Sequence, residues 1–166
     1  MTNIELDGGA ILRWAAPGDE QGIIDCIVAL AVYEKEPDAV ENTPERLAEM
    51  LFCENPTVFA HVVEYEGRVV GIAVWYLTYS TWTGKNGIWL EDLFVHPQYR
   101  GKGYGKALLT ELAKECVKRG LPRYEWWVLN WNRPSIEFYH SLGSIPMSEW
   151  TVERVDGEAL DILAAT

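Results

Sequence analysis

The chain reads as an α/β domain with a mixed central sheet flanked by helices. Three observations lead there. With 48% hydrophobic residues, its 166 residues suffice for the core of one domain. Helical periodicity comes first, two β-rich runs joined by a tight turn follow, and a strand–helix–strand–helix series ends the chain. A glycine-rich hexapeptide, Arg100-Gly101-Lys102-Gly103-Tyr104-Gly105, joins a hydrophobic strand to the strongest helix. The expected organisation is a single domain over residues 1–166, with residues 1–9 a loosely ordered lead-in.

Ile11 to Trp14 is a short strand, and Ala15-Ala16-Pro17-Gly18-Asp19 a turn that starts a helix. From Glu20, the apolar residues Ile23, Ile24, Ile27, Val28, Leu30 and Ala31 recur at helical spacing through Tyr33. Thr43-Pro44 opens a second helix through Phe52, pairing a good N-cap with a first-turn proline. Thr57 to Glu64 and Val69 to Tyr79 are strands joined through Tyr65-Glu66-Gly67-Arg68. A loop over Thr81 to Gly87 leads into the central strand, Ile88 to Val95. Gly103 to Arg119 is a helix with two apolar rows, Leu108-Leu112-Cys116 and Leu109-Ala113-Val117, closed by Gly120. Arg123 to Leu129 is a strand, Pro134 to Leu142 a short helix closed by Gly143, and Trp150 to Val155 a last strand before a C-terminal helix.

A net charge of −11 argues against nucleic acid, whose phosphates need clustered cations, and is compatible with a cationic substrate. No apolar run approaches a membrane span, and residues 1–9 lack the pattern of a signal peptide. Cys26, Cys53 and Cys116 are scattered, with no metal-ligand spacing, so neither a disulfide framework nor a metal site is expected. A cytoplasmic setting fits.

A strand, a glycine loop and a helix N-terminus together suit a phosphate: free amides and the helix dipole favour an anion there. The chain has no GxxxxGK[ST], and its Gly101-x-Gly103-x-Gly105 spacing after antiparallel strands is a poor dinucleotide fingerprint. The hexapeptide instead resembles the Arg/Gln-x-x-Gly-x-Gly/Ala signature of the GNAT acetyltransferases. Asn132-Arg133-Pro134-Ser135-Ile136-Glu137-Phe138-Tyr139 resembles that family's N-x-x-[SA]-x-x-[FL]-Y motif. Leu90-Glu91-Asp92-Leu93-Phe94-Val95, Trp131-Asn132, Leu30 to Glu34 and Trp150 are similar to the spermidine/spermine acetyltransferase branch. Ser80-Thr81-Trp82 resembles the thialysine-preferring paralogue, because the polyamine-preferring member has an acid where Ser80 stands.

The resemblance implies the GNAT acyl-CoA N-acyltransferase fold. It also implies an enzyme that transfers acetyl from acetyl-CoA directly to a primary amine of a small cationic substrate, with no metal. The amine would be a diamine or polyamine, or a thialysine- or lysine-like compound. Coenzyme A would be held by Leu93, Phe94, Val95, Arg100, Gly101, Lys102, Gly103, Tyr104, Gly105, Lys106, Asn132, Ser135 and Tyr139. Glu91 would be the base and Asp92 an amine-binding acid. Tyr139 would be the general acid, and a backbone N–H near Leu93 or Phe94 the oxyanion donor. Tyr33, Glu34, Trp82 and Trp150 would complete the amine site, with Trp89 and Trp131 as further aromatic candidates for its wall. A homodimer is implied as well. Adjacent strand residues face opposite sides of a sheet, so Glu91 and Asp92 share the site only if the strand bulges there. A protein-lysine or N-terminal acetyltransferase and a non-catalytic coenzyme-A-binding module are the alternatives.

Overall fold

The computed structural model describes residues 3–166. The chain divides into two compact units, residues 1–127 and Val128–Thr166.

The first unit carries a six-stranded sheet in the order β1-β2-β3-β4-β5-β6. The strands are β1 (Ile4–Glu5), β2 (Ile11–Trp14), β3 (Val58–Tyr65), β4 (Arg68–Ser80), β5 (Lys85–Val95) and β6 (Tyr124–Trp126). All neighbours are antiparallel except β5 and β6, which are parallel. A parallel pair needs a crossover, and helix α3 (Tyr104–Arg119) supplies it. Helices α1 (Glu20–Tyr33) and α2 (Pro44–Phe52) fill the long connection between β2 and β3.

Strand alternation sorts the core into two layers. Ala60, Val62, Ile72, Val74 and Phe94 pack with Ile23, Ile24 and Cys26 of α1 and Leu47 and Leu51 of α2. Val63, Ala73, Trp75 and Leu90 are buried on the opposite face, which α3 covers with Leu108 and Leu112. Thr43 caps α2 as the sequence suggests, accepting from the Arg46 N–H at 3.3 Å.

Three expectations change in the first unit. Residues 4–9 are not a loose lead-in: Ile4 and Glu5 pair with Leu12 and Ile11, and the Tyr104 hydroxyl donates to the Asp7 carbonyl at 2.8 Å. Only the first apolar row of α3 is buried throughout. Ala113 is exposed and Val117 is 83% exposed, because the face against the sheet runs through Leu108, Leu112, Glu115 and Cys116. Glu115 is tolerated there because Arg119 Nε donates to it at 2.8 Å, and the guanidinium lies over the rings of Trp75 and Phe59. The strand expected over Arg123 to Leu129 shortens to Tyr124–Trp126.

The second unit holds α4 (Arg133–Ser141) and α5 (Gly157–Ala164). Gly143 takes φ 93°, in keeping with its position after the helix. Trp150 to Val155 is irregular and exposed rather than a strand. Its β-branched residues favour extended backbone, but a strand also needs a partner's hydrogen bonds, and none pairs with it among the described residues.

His61 lies at the centre of the layer under α3. The Trp75 indole N–H donates to its Nδ1 at 3.2 Å, and Nε2 finds no partner among the described residues. Burial pushes its pKa down to about 4. A folded value below the ordinary one means that His61 contributes stability above the unfolded pKa of 6.5, which is lost as pH falls through about 4. Urea unfolding between pH 7 and 4 checks this. The wild type should lose ~3 kcal/mol more than His61→Gln over that range, and parallel losses would contradict it.

Candidate active site

The ladder between β4 and β5 is regular from Gly71↔Val95 to Val74↔Asp92, then shifts so that Trp75 pairs with Leu90. Glu91 is the extra residue, a β-bulge in the middle of the sheet. Asp92 pairs with Val74, and Phe94 with Ile72, so Asp92 lies on the face of α1 and α2. Trp89 pairs with Tyr76, also on that face beyond the bulge, and its indole N–H donates to Glu91 Oε2 at 2.9 Å. The shift therefore brings the two adjacent acids to one side of the sheet, meeting the condition posed by the sequence.

The bulge also marks where β6 stops. Parallel pairing runs from Ile88↔Tyr124 to Leu90↔Trp126 and ends. From Glu91 to Val95, β5 keeps β4 on one edge and has no β6 partner on the other. Backbone groups in a strand alternate between edges, so this stretch includes N–H donors that β6 does not use. Leu93 and Phe94, the expected oxyanion region, belong to it.

The two carboxyls differ. Glu91 is exposed and held by Trp89. Asp92 is half-buried, and its pKa is raised to about 6, chiefly by burial and then by the charges of Glu91 and Glu34. Glu34 follows the last residue of α1 and is itself shifted upward by burial. Burial and the Glu91 charge raise Tyr76. Glu34, Glu91, Asp92 and Tyr76 thus form one electrostatic cluster. Trp89 closes its side, with the Trp127 ring edge-on at 4.9 Å. Three acids together disfavour a further negative charge and favour a cation.

The glycine loop fits a pyrophosphate. Gly101 and Gly103 have φ of 76° and 80°, which a side chain would strain, and a Cβ on either would meet open space. No side chain caps the N-terminus of α3. Lys102 and Lys106 flank it, both exposed. Amides at a helix start with two lysines beside them suit a diphosphate. The Tyr104 side chain does not join the loop's exposed rim, whereas Arg100 is exposed and tied back to β5. The Tyr104 ring is buried and reaches Asp7, and Arg100 Nε donates to the Val95 carbonyl at 2.8 Å.

The remaining sequence candidates stand apart from this cluster or in the other unit. Trp82 is 84% exposed in the turn after Ser80. Five residue pairs separate that end of the hairpin from the bulge, ~17 Å at the usual rise, so Trp82 is not beside the acids. In the second unit, Asn132 caps α4 by accepting from the Ser135 N–H at 3.4 Å, and Tyr139 is half-buried with its ring 5.6 Å from that of Phe138. Trp131 and Trp150 are exposed. The sequence reading did not single out Tyr76, whose place opposite Trp89 follows only from the register beyond the bulge.

The Glu91 charge acts on Asp92 and helps to raise it. In Glu91→Gln the Asp92 midpoint should fall from about 6 toward the ordinary carboxylate range, by a shift on the order of one pKa unit. Carboxyl NMR measures it, and an unmoved midpoint would show that the two carboxyls do not interact.

The comparisons bear on the fold and the family. The profile of the Acetyltransferase (GNAT) family matches residues 26–143. A thialysine N-epsilon-acetyltransferase of Sus scrofa is 36% identical over 165 residues, covering 93% of this chain and 96% of the relative. A spermidine/spermine N(1)-acetyltransferase-like protein of Homo sapiens is 32% identical over 159 residues, 90% of this chain but 23% of that longer protein. Among solved structures, an integron cassette protein from the mobile metagenome of V. cholerae superposes with a TM-score of 0.77 at 23% identity, covering 95% of this chain and 98% of that one, which supports the fold. With the fold, the glycine loop and the family profile in agreement, the chain belongs to the GNAT family of acetyltransferases.

Proposed function

We propose that this acetyltransferase transfers acetyl from acetyl-CoA to the primary amine of a small cationic substrate, a thialysine- or lysine-like amine or a diamine or polyamine. The observation that carries the reading is the β5 bulge, with Glu91, Asp92 and Glu34 gathered on one side of the sheet. The printed activities of the relatives, on thialysine and on spermidine or spermine, support the substrate class. Residues 1–166 act as one domain in this reading, supported by a family match that runs past Trp127 into the second unit. Its setting is cytoplasmic, and no helix among the described residues is long and apolar enough to cross a membrane. The enzyme works as a homodimer, and Trp82 and Trp150, both exposed in the single chain, serve the amine site through that assembly.

Acetyl-CoA supplies an activated thioester. Gly101 to Lys106 hold its diphosphate through backbone amides and the Lys102 and Lys106 ammonium groups, with Leu93, Phe94 and Val95 along the unpaired edge of β5. Asn132 and Ser135 complete the cofactor contacts.

An alkylammonium, with a pKa near ~10.4 by analogy with lysine, must lose a proton before it can attack. Glu91, Glu34 and Tyr33 hold the cation, and the Glu91–Asp92 pair takes the proton. Resemblance alone makes Glu91 the base. Burial and neighbouring charge favour Asp92, because a carboxylate with a pKa of about 6 is the stronger acceptor and is still ionised at neutral pH. A backbone N–H at Leu93 or Phe94 donates to the carbonyl oxygen as it becomes anionic, and the Tyr139 phenol donates its proton to the departing sulfur.

Thiol release with putrescine, spermidine, thialysine, lysine and lysine-containing peptides tests the reading. Turnover on small amines and not on peptides is expected. The reverse would favour protein acetylation, and tight acetyl-CoA binding without turnover would mean a non-catalytic module. The acid limb of kcat/KM should lie near pH 6, with activity falling below it as Asp92 protonates. Asp92→Asn should remove that limb and lower kcat ~100-fold or more, whereas Glu91→Gln should mainly raise the amine KM. The opposite pattern would make Glu91 the base. Tyr139→Phe should lower kcat ~10- to 100-fold with unchanged acetyl-CoA affinity, and wild-type turnover would remove its role as acid.

A further inference from the structure

We propose that Trp89 is a positioning residue for the reaction: its indole N–H aims the Glu91 carboxylate at the amine, and the rings of Tyr76 and Trp127 hold the indole in place. The inference rests on the amine-acetyltransferase reading above and deepens it.

Glu91 is the residue that the bulge adds to β5, and it is exposed. An extra residue in a bulge lacks a cross-strand neighbour to fix its side chain. An exposed glutamate left to itself would spread over many rotamers. Among the described residues no ion pair holds this one. The Trp89 indole does, donating to Oε2 at 2.9 Å. The bond occupies one carboxylate oxygen and leaves the other to accept from an ammonium.

The donor is itself braced on two sides. Trp89 pairs with Tyr76 of β4 and with Glu125 of β6. The Tyr76 ring centre is 6.4 Å away, and the Trp127 ring, just past the end of β6, meets the indole edge-on at 4.9 Å and 82°. A tryptophan has few side-chain torsions, so neighbours that fix its ring also fix the direction of its N–H. The other indole in the ladder at the bulge is not available to the acids: Trp75 is buried toward α3 and donates to His61.

The bond reaches beyond Glu91. The charges acting on Asp92 are Glu91, from its own strand, and Glu34, from the end of α1, while Tyr76 faces the same cluster from β4. Holding Glu91 in one place therefore also fixes the field at the buried acid beside it.

Full-length Trp89→Phe keeps a ring between Tyr76 and Trp127 and removes the N–H. The amine KM should rise about three- to tenfold, with kcat and acetyl-CoA affinity within about twofold of wild type. The acid limb of kcat/KM should move below its wild-type place near pH 6, because a freed Glu91 swings away from Asp92. In a Glu91→Ala background the same substitution should add little, since it acts through that carboxylate. Trp127→Leu keeps the donor and removes a brace, and should raise the amine KM in the same direction by less. A wild-type amine KM and acid limb in Trp89→Phe would overturn the inference, as would fully additive effects with Glu91→Ala or an unchanged amine KM in Trp127→Leu. A wild type that binds acetyl-CoA but acetylates no small amine would overturn the proposed function and this inference with it. An active wild type with any of the contrary variant results would overturn the inference alone.

Discussion

Between Val74↔Asp92 and Trp75↔Leu90, β5 carries one residue more than the strand beside it. A regular ladder would send Glu91 and Asp92 to opposite faces of the sheet. The inserted residue reverses the alternation on one side only. Ile88 and Leu90 keep facing α3, while Asp92 and Phe94 face α1 and α2. The bulge also coincides with the end of pairing to β6, so acid side chains and backbone donors free of β6 occur within the same few residues. A bulge weakens a ladder, and here β4 continues for ten residue pairs around it, which holds the local distortion in place.

The cluster is costly to assemble. The charges of Glu91 and Glu34 act against an ionised Asp92, and burial penalises the ionised forms of Asp92 and Glu34. The Trp89 indole donates to Glu91, and no ion pair on any of the three acids occurs among the described residues. The other acids beside the sheet are treated differently: Asp19 and Glu64 share Arg13, and Glu115 has Arg119. A polyammonium or aminoalkyl substrate would bring the opposite charge, which links the repulsion on Asp92 to affinity for a cation.

Much of this was legible in the residues. Gly101-Lys102-Gly103 announces a loop with left-handed backbone at the start of a helix, and both glycines adopt it. The adjacent Glu91 and Asp92 could share one side of an apolar strand only if it bulged there, and the ladder shift meets that condition. What the residues did not reveal depended on partners distant in sequence. Trp150 to Val155 has strand composition but no strand to pair with, and Ile4-Glu5 has too little periodicity to read until Ile11-Leu12 lies beside it. The second row of α3 looked apolar, yet Glu115 rather than Val117 turns toward the sheet, because Arg119 and two aromatic rings make a place for it. The place of Tyr76 and the Arg100–Val95 hydrogen bond likewise follow from register and folding back, which residue type does not encode.

A crystal structure with a bisubstrate adduct, coenzyme A joined through an acetyl linker to the nitrogen of a diamine, tests the account most directly. The linking nitrogen should lie within hydrogen-bonding distance of the Asp92 or Glu91 carboxylate, with the linker carbonyl against the edge of β5 at Leu93 or Phe94. A nitrogen bound away from both acids, or a linker on the α3 face of the sheet, would contradict it.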